Sequence, residues 1–535
     1  MTPLTRSAEL VAAPPNSGVS SALAPAVLRI AALTVLFSAA AVHEAWKLFS
    51  LTSPEIWVHL RTGLWILENR SVPHTGLFSR YSTLAWIDST WMYDLRLGIA
   101  YRLLGLRAIP LSLIVVRLAV ALVTFFVARV GRGGFWNAVL LSALAQYVIS
   151  ELQPLPYAVS IIFFAVELQW LMRVRQTGSA KRLFWLPLLF FLWANLHIQF
   201  VAGLILLGLF LIAVLIESAM RAHGSRWLSD QICPLAPKQV GIVTSLSLLS
   251  TFANPYTFHL LPEAYKSLYS SVGFEHFAEM SSMSFRRPQD YALMLLVMMA
   301  YLALGRRRSL ALFELVSLMA GTLVAFRIAR NGWMVVLPAV AILSFGFRLV
   351  RAEPEALRRK SLGQERAWVA SLTAAVVLLA AALVPSSKVL MDKVGAKFPV
   401  KACEYIQANR LPQPLFNAYE WGSFVTWYLP QYPVAVDDRV ELYGSDVLGA
   451  YFDVVTGKKL LESEPMVTSS GTLLLEKNFA LSKALTELPA LRAQYRLVYS
   501  DEIASVFLPQ TQTQTEAPQA VDYRLGTRTV ARSSR

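Results

Sequence analysis

Glu55, His59 and Arg61 fall within "SPEIWVHLRTG", a short stretch directly after a long apolar run. On a helix, Glu55 and His59 would stand one turn apart on the same face. Downstream, "WIDSTWMYDLRLG" sets Asp88 and Asp94 among Trp86, Trp91 and Tyr93. Carboxylates held against aromatic rings suit two tasks at once, taking the proton of a hydroxyl and stacking a sugar ring. We therefore read Glu55 and Asp88 as candidate catalytic carboxylates, and Trp57, His59, Arg61 and Trp91 as candidate substrate contacts. The plainer roles are an acidic residue that complements the dipole at a helix start and a histidine that packs at an interface.

Such residues need a scaffold, and the composition says which kind. The 535 residues are 55% hydrophobic and only 16% charged, with a mean hydropathy of +0.48, beyond what a soluble globular chain carries. A mainly α, polytopic transmembrane bundle of about eleven helices follows. The apolar runs lie near 26–46, 108–130, 136–150, 156–172, 183–197, 199–220, 238–253, 290–304, 309–325, 332–350 and 367–385. The formal charge of +15 does not signal nucleic acid, because the basic residues gather in short clusters between these runs. Arg129 and Arg132, Arg173 and Arg175, Arg306 to Arg308, and Arg358 and Arg359 mark alternate connections as cytoplasmic, with the N-terminus inside. Cys233 and Cys403 are the only cysteines, too few for a disulfide framework or a Cys-based zinc site. Residues 1–25 read as a disordered cytoplasmic tail, 26–385 as the membrane domain with an outer loop over 48–107, 386–510 as an extracytoplasmic α/β domain, and 511–535 as a flexible tail.

Every motif-like cluster falls on the outward side of this scheme. In the first outer loop, Ser53 and Pro54 start a helix, Ile56, Leu60, Leu64 and Leu67 form its apolar stripe, and Pro73 lies beyond its end. An amphipathic helix at the membrane surface is expected, with Trp57 and Trp65 at headgroup depth. "WANLHIQF" places Asn195, His197 and Gln199 in a tight turn, where polar groups are expected to bond the open backbone. Arg327, Arg330 and Asn331 of "RIARNGW", with Arg286 and Arg287 before them, stand at the outer edge against the usual charge bias. A lipid phosphate or pyrophosphate would supply the counter-charge; Glu275 or Glu279 is the alternative. Inside the bundle, Arg117 and Glu167 share a depth and are expected to pair, with Glu314 as the other partner open to Arg117.

Beyond Pro385 the composition changes. Short apolar segments "PLFNAY", "YPVAVDD", "TLLLEK" and "YRLVYSD" alternate with the helical "WGSFVTWYLP" and "ALSKALTELPALRAQ", the pattern of a small α/β domain. Asp437, Asp438 and Arg439 follow an expected strand, so Asp438 and Arg439 are candidate substrate contacts; capping and internal pairing is their plainer role. No Gly-rich phosphate loop, zinc spacing or nucleophile elbow occurs.

Taken in order, "EIWVHLRTGLWILENRSVPHTGLFS", "WIDSTWMYD", "WANLHIQF", "ANPYT", "RIARNGW" and "FNAYEWGSFVTWYLPQYPVAVDDRVELYG" resemble bacterial integral-membrane glycosyltransferases of the GT-C superfamily, in the group related to the Rgt-like and dolichyl-phosphate-mannose mannosyltransferases. The resemblance covers about residues 26 to 510. It implies a multi-pass protein of the bacterial inner membrane that takes a polyprenyl-phosphate-linked sugar and transfers it, on the extracytoplasmic side, to a lipid, glycan or protein acceptor. Membrane lipids are then its surroundings and nucleic acid is no partner. Relatives commonly begin the first outer loop with paired acidic residues, whereas this chain has Ser53 and Glu55. Glu55 is thus the retained candidate base, no cofactor is assigned, and a divalent metal stays open without a paired acidic motif to support it. A noncatalytic envelope-assembly protein and a polyprenyl-lipid or glycan transporter are the rival readings.

Overall fold

Apolar sequence with no polar partner along its length satisfies its own backbone best as helix, and this governs the architecture. The computed structural model describes residues 18–47, 49–131, 133–149, 156–224, 233–268, 281–307, 309–346 and 355–510. Each expected apolar run carries a helix: Gly18–Lys47, Ala108–Ala128, Phe135–Val148, Tyr157–Thr177, Leu186–Leu196, Phe200–Ala222, Pro237–Ser250, Pro288–Gly305, Leu312–Arg327, Trp333–Gly346 and Glu355–Leu383. Among the described residues, Trp91–Ala128, Tyr157–Thr177, Phe200–Ala222, Pro288–Gly305 and Arg366–Leu383 are long and apolar enough to cross a membrane. The chain is a multi-pass membrane protein. Its outward faces carry leucines such as Leu323, Leu378 and Leu383, the side chains a lipid solvent requires. The first helix begins at Gly18, inside the segment expected as a tail; residues 1–17 and 511–535, with Arg132, Glu275 and Glu279, lie outside the described residues.

The expected ion pair inside the bundle forms differently. Arg117 donates from Nη1 to the Ile149 carbonyl at 3.4 Å, while neither oxygen of the fully buried Glu167 meets a hydrogen-bond partner among the described residues. Glu314 is taken up by Arg175 at 3.4 Å, whose fork also grips Glu217 at 2.8 and 3.1 Å. Depth alone did not decide the pairing. Arg175, Glu217 and Glu314 come from three different helices, Tyr157–Thr177, Phe200–Ala222 and Leu312–Arg327, and a planar guanidinium with two carboxylates ties all three.

In the first outer loop two helices, Ile56–Asn69 and Trp91–Leu104, pack face to face because both lack a side chain where they cross. A Cβ on Gly98 would stand 2.7 Å from the Gly63 carbonyl carbon, and one on Gly63 would land on the Asp94 carbonyl. The second helix continues through the turn Gly105–Arg107 into Ala108–Ala128.

The C-terminal region folds as helices around a four-stranded mixed sheet of order β1-β2-β4-β3. β1 is Leu415–Asn417, β2 Thr472–Glu476, β3 Tyr495–Ser500 and β4 Ala504–Pro509. β1 runs parallel to β2, with Leu415 beside Thr472, and β4 is antiparallel to both its neighbours. "YPVAVDD" is not one of the strands, contrary to expectation. Pro433 has no N–H to give to a ladder, and the Asn417 side chain takes the ladder's place: its amide donates to the Val436 carbonyl and its oxygen accepts from Ala435 N, each at 2.8 Å. Val434 pairs instead with the outer loop, accepting from Arg80 N at 3.0 Å and donating to the Phe78 carbonyl at 3.1 Å. Trp57, fully buried, joins the two regions through edge-on contacts with Phe398 and Phe424 and a tilted stack on Trp427.

Candidate functional site

The site grows where the start of the Ile56–Asn69 helix meets the loop leading into Trp91–Leu104. His59 Nδ1 lies 2.8 Å from Asp94 Oδ1, and the glycine contact between the two helices sets that distance, since Asp94 supplies the backbone against which Gly63 rests. Burial holds His59 below its ordinary imidazole value, against the opposing pull of Glu55, Asp88 and Glu441. Those three carboxylates are thereby placed within electrostatic reach of one ring. Asp88 accepts at Oδ1 from Thr90 N at 3.0 Å and Thr90 Oγ1 at 2.9 Å. Its other oxygen, Oδ2, is buried with no hydrogen-bond partner among the described residues. Burial, joined by the Asp94 charge, pushes the Asp88 carboxyl up to about 8. A carboxyl so placed exchanges its proton near neutral pH, the property asked of an acid–base group.

The C-terminal region closes the same space. Gly422 lets its helix approach the 436–438 segment, where a Cβ would stand 2.7 Å from Asp437 Cα. Asp438 then accepts from Ser423 Oγ at 2.6 Å, and burial, followed by the Glu55 carboxylate, holds it well above the ordinary carboxylate range. Glu55 and Asp438, far apart in sequence, lie within electrostatic reach of each other. Arg439 is occupied otherwise: buried, it grips Asp437 at 2.9 and 2.7 Å, with Trp86 4.7 Å and Phe78 5.6 Å from its guanidinium carbon. That is the internal pairing weighed as its plainer role. Trp57 likewise packs in the boundary rather than at headgroup depth, because the C-terminal aromatics cover it.

The remaining candidates divide by position. Trp91 donates to Asn195 Oδ1 at 3.0 Å, and Asn195 donates to the Ala253 and Phe191 carbonyls at 3.0 and 2.8 Å, so the "WANLHIQF" turn is tied directly to the outer loop. Gln199 Nε2 donates to Asn331 Oδ1 at 3.1 Å, joining that turn to Ala329–Gly332. Arg330 lies over the Tyr157 ring at 4.5 Å and within electrostatic reach of His197, as does His59. Arg327 is exposed at its helix end. Arg61 meets Glu68 at 3.6 Å and Phe78 at 5.0 Å. Arg287 caps its helix, bonding Asp290 at 3.0 Å, and Arg286 beside it is exposed. The sequence reading gave no specific partner to Asp94 and passed over Ser423 and Glu441; Glu441 accepts from Trp86 Nε1 at 3.3 Å. Among the described residues no three His, Cys, Asp or Glu side chains are grouped to hold a metal ion.

No protein-family model matches the sequence, and no curated protein matches it. The chain does superpose on the oligosaccharyltransferase of Archaeoglobus fulgidus in its apo form, over 91% of this chain and 74% of that one, with a TM-score of 0.51 at 11% identity. The chain shares the fold of that oligosaccharyltransferase. ArnT from Cupriavidus metallidurans matches over 91% of this chain and 99% of its own, in a structure bound to undecaprenyl phosphate, with a TM-score of 0.47 at 14% identity; its apo state gives the same TM-score at 15% identity. Within this fold, the carboxylates are gathered between the 48–107 segment and the C-terminal region.

Proposed function

We propose that the protein is a membrane glycosyltransferase that moves a sugar from a polyprenyl-phosphate-linked donor to a hydroxyl of an envelope lipid, glycan or protein acceptor. The observation that carries this reading is the meeting of Glu55, His59, Asp88, Asp94 and Asp438 at one boundary of a GT-C fold, with Arg330 in the adjoining turn. Asp88 is the proposed proton acceptor, through Oδ2, which has no hydrogen-bond partner among the described residues. It takes the acceptor's hydroxyl proton while the acceptor's hydroxyl oxygen bonds to the anomeric carbon; the bond from that carbon to the phosphate oxygen breaks, and polyprenyl phosphate leaves with the electron pair. Glu55 and Asp438 form the facing wall and orient the acceptor. Trp91, fixed by Asn195, offers its ring to the sugar. Arg327 and Arg330 take the phosphate charge, as guanidinium groups do.

Eleven spans with the N-terminus cytoplasmic would put the site and the C-terminal domain outside a bacterial inner membrane, in keeping with the clusters of arginine on alternate connections. The test is transfer itself. Purified protein in lipid, offered polyprenyl-phosphate sugars and a panel of acceptors, should yield glycosylated acceptor and free polyprenyl phosphate together. A donor that is bound or moved across the bilayer but never cleaved would assign binding or translocation instead.

A further inference from the structure

His197 departs from the backbone-bonding role expected of its turn, and its surroundings fix which of its nitrogens carries the proton. Trp193 Nε1, which can only donate, gives its hydrogen to Ser160 Oγ at 2.7 Å. Ser160 Oγ stands 2.7 Å from His197 Nδ1. With its oxygen already accepting, the serine hydroxyl has its own proton to give, and His197 Nδ1 is the acceptor in reach. A positive charge on the ring is unfavourable because the ring is buried and the Arg330 guanidinium is within electrostatic reach. The ring is therefore neutral with its proton on Nε2, a tautomer assigned from the bonding network. Nε2 has no hydrogen-bond partner among the described residues and is not one of the sealed polar atoms, although the residue as a whole is 9% exposed.

We propose that His197 Nε2–H is a phosphate-binding donor, held beside Arg330 and directed at the phosphate of the lipid-linked substrate. This rests on the glycosyl-transfer reading above. Two turns at the same end of the bundle build the site. The His197 turn and the Arg330 turn are locked together by the Gln199–Asn331 bond at 3.1 Å, so a single phosphate can meet both groups without either turn moving. Arg330 supplies charge and His197 supplies direction. A neutral donor suits an oxygen that must leave with its electron pair, because it binds the phosphate without adding a proton that could move. Ser160 and Trp193 are positioning residues: they touch no substrate and act by holding the imidazole in one tautomer and one orientation.

The experiment compares binding of undecaprenyl phosphate with binding of undecaprenol to the purified full-length protein. Wild type should prefer the phosphate. His197→Ala should lose about tenfold in affinity for the phosphate, the usual cost of one hydrogen bond to a charged group, with undecaprenol binding unchanged. His197→Gln, which returns an N–H near the Nε2 position, should recover much of the loss, and Ser160→Ala should fall between. Retained undecaprenol binding shows that each variant is folded. Wild-type preference for the phosphate that survives intact in His197→Ala would overturn the His197 assignment alone. A wild type that does not distinguish phosphate from alcohol would overturn the donor class as well as His197.

Discussion

At the residue scale, Asp88 carries the strongest chemical claim, because one of its oxygens is engaged by Thr90 and the other is buried with no hydrogen-bond partner among the described residues. Its carboxyl rises from 3.8 to about 8 in the folded protein. The native state thus holds that proton more tightly than the unfolded chain. The stability Asp88 contributes is whole below the unfolded value and is lost as pH rises through the folded one, at up to about 1.4 kcal/mol per pH unit. Activity should run the other way, rising toward about pH 8 as the ionised fraction grows. Asp88→Asn should therefore flatten the fall in Tm between about pH 5 and pH 8 while removing the rising limb of activity. A variant whose Tm falls with pH as steeply as wild type would show that Asp88 is not the buried titrating group. Asp88 and Glu55 could be named as candidates from their residue types and spacing. Asp94 was less legible, because its partner His59 lies on another helix and only the packing of the two helices reveals the pair.

At the scale of elements, the Gly63–Gly98 crossing sets the site. Helix periodicity in "SPEIWVHLRTGLWILEN" was plain, but a pair of glycines gives no hint of what they lie against. Gly63→Ala would drive a methyl group into the Asp94 carbonyl, and backbone cannot yield as a side chain does. The expected cost is about 1–3 kcal/mol of stability, together with a fall in transfer rate, because separating the helices pulls Asp94 from His59. Thermal unfolding and initial rates on the same preparation check both; an unchanged rate would show that the His59–Asp94 distance does not matter to turnover. Two other elements show where sequence periodicity fails. "YPVAVDD" alternates like a strand, yet Pro433 and the Asn417 side chain make it a loop that serves the outer loop instead. Trp57 reads as an interfacial anchor until the aromatic cluster of the C-terminal region covers it.

At the scale of the whole molecule, the helices on the apolar runs and the small C-terminal sheet were readable, since each follows from local composition and period. Their assembly was not. Glu55 comes within electrostatic reach of Asp438 only because the C-terminal region docks on the loop through Val434, Arg80 and Trp57, and Arg175 chooses Glu217 and Glu314 because of helix neighbours that depth does not specify. The proposed catalytic centre is accordingly a joint product of two distant chain segments, closed over the ends of a helical bundle. The measurement that tests this most directly is a single-turnover transfer assay, with the protein in excess over a labelled polyprenyl-phosphate sugar and the acceptor saturating, run on wild type, Glu55→Gln and Asp88→Asn after donor binding has been confirmed for each. The account predicts that wild type converts the donor to glycosylated acceptor while Asp88→Asn binds the donor and leaves it intact, with Glu55→Gln slowed. Undiminished conversion by Asp88→Asn and Glu55→Gln alike would contradict it.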